Sequence, residues 1–210
     1  IFDGVKSLLH NFKENPNIDI LISFLREAQI ILPQESVWAI KFMSFIEGLI
    51  CKPDVVSHVL FESKFIDGNP FINFINDFVA SEDLNMRLSA CKVFLKILIE
   101  SPKEFQNTEY DISNVNEFIA SEDDGCAHTV IKYIKKAIRS STVATKILCE
   151  KQVLEAMSDS FEIRPMQTKS EIFNIFSYIV LKQKNFYSPQ FIGDCVLPMC
   201  VERLQLGRES

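Results

Sequence analysis

The chain has 210 residues, 47% hydrophobic and 24% charged, a balance too apolar for intrinsic disorder. With 18 Phe but only 6 Gly and 8 Pro, it carries too few turn-formers for a β-sandwich or barrel. A net charge of −6 argues against a nucleic-acid binder by bulk electrostatics, and 3 His leave little material for zinc or histidine-triad chemistry.

The opening Ile1-Phe2-Asp3-Gly4 has neither an initiator Met nor a basic-then-apolar leader, so the chain reads as a piece of a longer protein. Its apolar runs are short and broken by charge, as at Asp19 within Ile18 to Leu25. None approaches the roughly 20 apolar residues of a membrane span.

From there the pattern is helical. Ile20, Ile22, Phe24 and Leu25 lead to a corner at Pro33-Gln34-Glu35-Ser36, and the longer helix behind it carries Ala39, Met43 and Ile46. Asp54–Phe61 reads as a short helix and Ser63 to Asn69 as a loop, with Asp67-Gly68-Asn69-Pro70 as its turn. Phe71, Phe74, Ile75 and Phe78 then recur at helical spacing and stop at Ser81-Glu82-Asp83. The Ser and Asp of that corner are residue types that cap the exposed amides opening the next helix. That helix presents Met86, Ala90, Val93, Phe94 and Ile97 on one face. Ser101-Pro102 ends it, because proline disfavours helix in the residue before it.

The same design then repeats. Phe78-Val79-Ala80-Ser81-Glu82-Asp83 recurs as Phe118-Ile119-Ala120-Ser121-Glu122-Asp123, an offset of 40 residues. Met86, Ala90, Phe94 and Ile97 align with Cys126, Val130, Ile134 and Ala137; Lys92 and Lys96 align with Lys132 and Lys136. Asn76 aligns with Asn116, and Ser101 with Ser141. Ser141–Glu150 reads as a short first helix. Val153, Leu154 and Met157 start a further unit whose long helix carries Ile172, Phe176 and Ile179. A partial unit runs from Ser188 through Cys195, Leu197, Cys200, Val201 and Leu204. The approximate units are 18–52, 54–101, 103–141, 142–183 and a partial 188–206.

These residues resemble the armadillo repeat family, close kin of HEAT repeats. The resemblance lies in an apolar-apolar-x-Ser-x-Asp corner, an apolar residue three positions on, then Ala, an apolar pair and Ile. Phe78 to Met86 with Ala90, Val93-Phe94 and Ile97 carry it, and residues 118–137 repeat it with Val130 in place of Ala. The resemblance implies an all-α fold: a right-handed α-α superhelix, an armadillo-type solenoid of about four to five repeats, with the long third helices lining a concave groove. Such proteins bind proteins and peptides and are not enzymes as a class.

The chain departs from the nuclear-import armadillo proteins, whose long helices carry a Trp and an Asn four residues apart. The aligned positions here hold Lys41 and Phe45, Lys92 and Lys96, Lys132 and Lys136, and Asn174 and Tyr178, so a receptor for nuclear-localisation signals is rejected. The single Trp, Trp38, reads as packing. The glycine usual before the second helix is also missing from Glu150-Lys151-Gln152-Val153.

Lys92 with Lys96, and Lys132 with Lys136, are spaced to share a helical face. Stacked in repeat register, they predict a basic ladder in an acidic protein, suited to an acidic extended peptide or a phosphopeptide. His128, one turn before Lys132, and Tyr178 extend that surface. Lysines on an amphipathic helix also serve simply as its solvated face, and only binding data separate the two readings.

The Phe stripe (Phe71, Phe74, Phe78, Phe94, Phe118, Phe173, Phe176) reads as core. The six cysteines, Cys51, Cys91, Cys126, Cys149, Cys195 and Cys200, form no Cys-x-x-Cys pair and read as reduced. Glu122-Asp123-Asp124 lacks the alternating ligand spacing of a calcium loop and suits a helix start. The expectation is therefore a non-enzymatic protein-interaction scaffold without cofactor, metal, membrane span or nucleic-acid partner, cytoplasmic or also nuclear. Its rivals are a regulatory domain of a larger protein, such as the GTPase-binding armadillo domain of diaphanous-type formins, and a regulatory subunit of a phosphatase or chaperone.

Overall fold

The computed structural model describes residues 18–31, 36–50, 56–62, 68, 70–106, 112–183 and 189–206. The chain divides into two compact units, Ile1–Tyr110 and Asp111–Ser210. The division falls inside the stretch that the sequence reads as its third repeat. Every regular element among the described residues is helical.

In the first unit, α1 spans Ile18–Ile31, α2 Ser36–Leu49, α3 Phe71–Val79, α4 Leu84–Glu100 and α5 Pro102–Gln106. A π-helical stretch, Val56–Glu62, lies where the sequence predicts a short helix over 54–61. Of the expected loop only Gly68 is described, with a left-handed φ of 78° that suits a turn. Helix α4 packs against both α2 and α3.

A chain of phenylalanines runs through this unit and accounts for much of their excess. Phe24 of α1 meets Phe45 of α2 edge-on at 5.4 Å, and Phe42 meets Phe71 of α3 edge-on at 5.9 Å. Phe71 touches Phe74 at 5.5 Å, and Phe74 meets Phe78 at 5.0 Å. Such pairs add roughly 0.5–1.5 kcal/mol each beyond the apolar area they bury.

In the second unit, α6 spans Ser113–Ala120, α7 Asp124–Ser140, α8 Thr142–Glu150, α9 Val153–Asp159 and α10 Met166–Lys182. After them come a single turn, α11 (Pro189–Phe191), a π-helical stretch Ile192–Val196, and α12 (Leu197–Leu206). Helices α7 and α10 pack side by side, and α6 packs on α7 and α9. Their shared core takes Ala127, Val130, Ile131 and Ile134 from α7, and Ile172, Ile175, Phe176 and Ile179 from α10. Of the seven Phe predicted as core, six are buried; Phe173 is half-buried, on the rim of a shallow apolar cleft with Val180, Val196 and Met199.

The repeated sequence gives repeated local structure. Helices α4, α7 and α10 each have 17 residues, and they open at Leu84, Asp124 and Met166. The two Ser-Glu-Asp corners make the same bonds. Ser81 N–H donates to the Phe78 carbonyl at 3.3 Å, and Ser121 N–H to the Phe118 carbonyl at 3.3 Å. Each serine Oγ accepts from the aspartate amide two residues on, at 3.2 and 3.1 Å. Asp83 then caps α4 by accepting from Asn85 and Met86 N–H, and Asp123 caps α7 by accepting from Cys126 N–H. These bonds satisfy amides that a helix start otherwise leaves open.

The corner before α10 is built differently. Ser160, Phe161 and Arg164 of that corner are all buried. At the other end of α7, the Ile138 carbonyl accepts from Gln183 Nε2 at 2.8 Å and from Thr145 Oγ1 at 3.4 Å. Asn116 Nδ2 donates to the Lys151 carbonyl at 3.0 Å, tying α6 to the turn between α8 and α9. In that turn Gln152 is left-handed, with φ 58°, inside the Glu150-Lys151-Gln152-Val153 segment that lacks the glycine the resemblance leads one to expect.

Candidate functional site

The chemistry-bearing residues concentrate on one face of α7. Its buried residues recur at helical spacing, which leaves positions 132, 135, 136 and 139 on the opposite stripe. All four are cations: Lys132, Lys135, Lys136 and Arg139. Their place in the second half of the helix is favourable in itself, because the carbonyl end of a helix attracts positive charge.

Together with Thr129, Tyr133 and Glu171 of α10, these cations line an open cleft of about 370 Å³. Lys135 donates to Glu171 Oε2 at 2.5 Å. That bond holds the Glu171 carboxyl below the usual carboxylate range against the opposing effect of burial, and the positive charges of Lys135 and Lys132 add to it. Lys136 lies 5.4 Å from the Tyr133 ring centre, and the Arg139 guanidinium 5.6 Å from that of Tyr178. Among the described residues, none of Lys132, Lys136 and Arg139 enters an ion pair. Lys132, Lys136 and Arg139 are exposed.

Three of the sequence-predicted residues thus belong to this region, Lys132, Lys136 and Tyr178; Asn174 is exposed on α10. His128 behaves differently. Its Nδ1 is 3.0 Å from Thr168 Oγ1, and Thr168 is buried. The ring is half-buried between α7 and α10, so it packs the helices together instead of extending the surface.

The first unit treats its aligned lysines differently. Lys92 pairs with Glu47 at 3.7 Å and Lys96 with Glu100 at 2.7 Å, and both lysines are half-buried. Their charge is answered within the chain. Lys41 is exposed, 4.9 Å from the Trp38 ring centre. Phe45, predicted on the binding surface, is 6% exposed and belongs to the aromatic core with Phe24 and Phe42. The apolar demand of α1 for a partner overrides its alignment with a groove position.

Lys135, Arg139, Tyr133 and Glu171 were missed by the repeat alignment. Lys135 and Arg139 stand opposite Leu95 and Ile99 in the preceding copy, so comparing copies conceals them. The i, i+3, i+4, i+7 spacing within α7 alone reveals them. Glu171 could be found only from the packing of α10 on α7.

Among the described residues no group of His, Cys, Asp and Glu is placed to hold a metal ion. No described helix is long and apolar enough to cross a membrane. Comparison with protein-family models, curated proteins and solved structures gives no match.

Proposed function

We propose that this chain is a non-enzymatic protein-interaction scaffold, built as an armadillo-type solenoid, that docks an acidic segment of a partner on the long helices. The observation that carries the reading is the exposed cation stripe of α7 over a cleft, on a chain whose net charge is −6. The surrounding negative charge repels anions, so a local positive strip selects where an acidic segment lands. The equal length of α4, α7 and α10 and the matching Asp83 and Asp123 corners support the repeat architecture. Within it, a solenoid presents its long helices to a concave groove. The working surface is Lys132, Lys136, Arg139, Asn174 and Tyr178 of the second unit; the first unit's Lys92 and Lys96 are already answered by Glu47 and Glu100.

Individual exposed lysine–carboxylate contacts contribute only about 0–1 kcal/mol, so several must act together and salt must weaken them. The test is fluorescence anisotropy with a labelled Asp/Glu-rich peptide over a salt series. The expected result is binding that weakens steadily with salt and is lost in the Lys132→Glu, Lys136→Glu double variant. Absence of salt-dependent binding, or no effect of the double reversal, overturns the reading.

A further inference from the structure

The cleft on α7 carries more positive charge than a carboxylate side chain can match. Its lining residues bring four cations and one carboxylate, which leaves a formal charge of +3. Glu171 already supplies the cleft with a carboxylate and holds Lys135 by a short ion pair. An incoming Asp or Glu side chain would bring one charge and two acceptor oxygens to the three remaining cations. A phosphomonoester brings roughly −1.5 to −2 charges at neutral pH and three acceptor oxygens.

The donors are also arranged for such a group. Lys132, Lys136 and Arg139 succeed one another along a single stripe, four and three residues apart, so they share one strip of surface. Arg139 rests against Tyr178 and Lys136 against Tyr133. Arg139 brings a planar guanidinium fork, 5.6 Å from the Tyr178 ring centre, that matches phosphate oxygens in pairs. The aromatic contacts restrict the heads before any ligand arrives, which reduces the ordering cost of binding.

We infer that the α7 cleft is a phosphate-recognition site that selects a phosphorylated side chain on the docking segment over an aspartate or glutamate there. This rests on the reading of the face as a docking surface for an acidic segment. Lys132, Lys136 and Arg139 hold the phosphate, and Glu171 limits the cleft's affinity for simple carboxylates by keeping Lys135 engaged.

The test is an amide NMR titration of the full chain with three short acidic peptides that differ at one residue: serine, aspartate or phosphoserine. The expected result is shifts centred on residues 129–139 and on Glu171, with the phosphoserine peptide binding about tenfold or more tightly than the aspartate peptide. Arg139→Lys keeps the charge but loses the fork; it should cut the preference for phosphoserine several-fold and leave aspartate-peptide affinity within about twofold. Glu171→Gln, which frees Lys135, should raise affinity for the aspartate and phosphoserine peptides.

Equal affinity for the aspartate and phosphoserine peptides, with shifts at α7, overturns the phosphate selectivity and leaves the docking reading standing. No binding by either peptide, or shifts confined to residues outside α7 and α10, overturns both. Tighter binding to vesicles containing phosphatidylinositol phosphates than to the phosphopeptide assigns the site to a lipid headgroup and overturns the peptide proposal. Unchanged helical circular dichroism in each variant ties any loss to the cleft.

Discussion

Arg164 and Asp124 meet at 3.0 Å, Nη1 to Oδ1, across 40 residues of sequence. The second terminal nitrogen, Nη2, donates to the Ile119 carbonyl at the end of α6. One side chain from the corner before α10 therefore clamps the corner before α7. Arg164 is 4% exposed, whereas Asp124 keeps half its side chain in water. The buried hydrogen bond to Ile119 and the packing of the arginine stem matter more than the half-solvated ion pair. Arg164→Ala is expected to cost about 2–3 kcal/mol, because it orphans a buried carbonyl and removes packing. Asp124→Asn, which keeps a hydrogen-bond acceptor, should cost about 1 kcal/mol or less. Urea unfolding of the two variants checks the ranking, and equal losses would refute it.

The aspartate caps make a separate prediction. Asp83→Ala should destabilise by about 1 kcal/mol, and Asp83→Asn or Asp83→Ser by less, since both keep a capping acceptor. At the second corner, the backbone amide of Cys126 holds the Asp123 carboxyl below its usual range. Glu171 is lowered in the same direction by the Lys135 hydrogen bond. A carboxyl depressed in the folded state adds stability that is present above its unfolded pKa and is lost as pH falls through the folded pKa. Acidification from about pH 5 downward should therefore erode stability less in the Asp123→Asn, Glu171→Gln variant than in the parent. Denaturation across that window measures it.

The long helices of both units and their buried faces were legible in the sequence because the 3–4 apolar spacing and the Ser-Glu-Asp caps act locally. Ala90, Phe94 and Ile97 and their counterparts Val130, Ile134 and Ala137 are all buried as predicted. The fate of aligned surface positions was not legible, because it depends on what another helix brings. Lys92 meets Glu47 from α2, whereas Lys132 has no carboxylate within ion-pair reach among the described residues. Phe45 shares an aligned position with Lys96, yet α1 buries it. The π-helical registers at Val56–Glu62 and Ile192–Val196 have no sequence signature in apolar spacing alone.

The cysteines separate by burial. The Cys91 thiol is pushed up to about 12 and that of Cys149 to about 11, chiefly by burial. Cys126 and Cys195 are raised in the same direction and for the same first reason. The thiolate is the reactive form, so Cys91 should resist a thiol-specific reagent at pH 8 in the folded chain and react only on unfolding. Mass-mapped labelling with and without urea tests this. Labelling of Cys91 as fast as the half-buried Cys200 in the folded protein would contradict it.

Gln152 carries the backbone cost of a missing glycine. Its φ of 58° and ψ of 25° place a side-chain-bearing residue in the left-handed region, between α8 and α9. Such a residue pays roughly 1 kcal/mol there, because its Cβ crowds the following carbonyl, and glycine does not. The Gln152 side chain makes no capping hydrogen bond, so its removal loses little. Against this, glycine gains more freedom in the unfolded chain, which takes back part of the benefit. Gln152→Gly is expected to stabilise by up to about 1 kcal/mol, and Gln152→Val to destabilise by at least as much, since β-branching is worst at positive φ. The thermal midpoint should rise for the first and fall for the second. A fall for both would mean that the turn does not hold its left-handed form in solution.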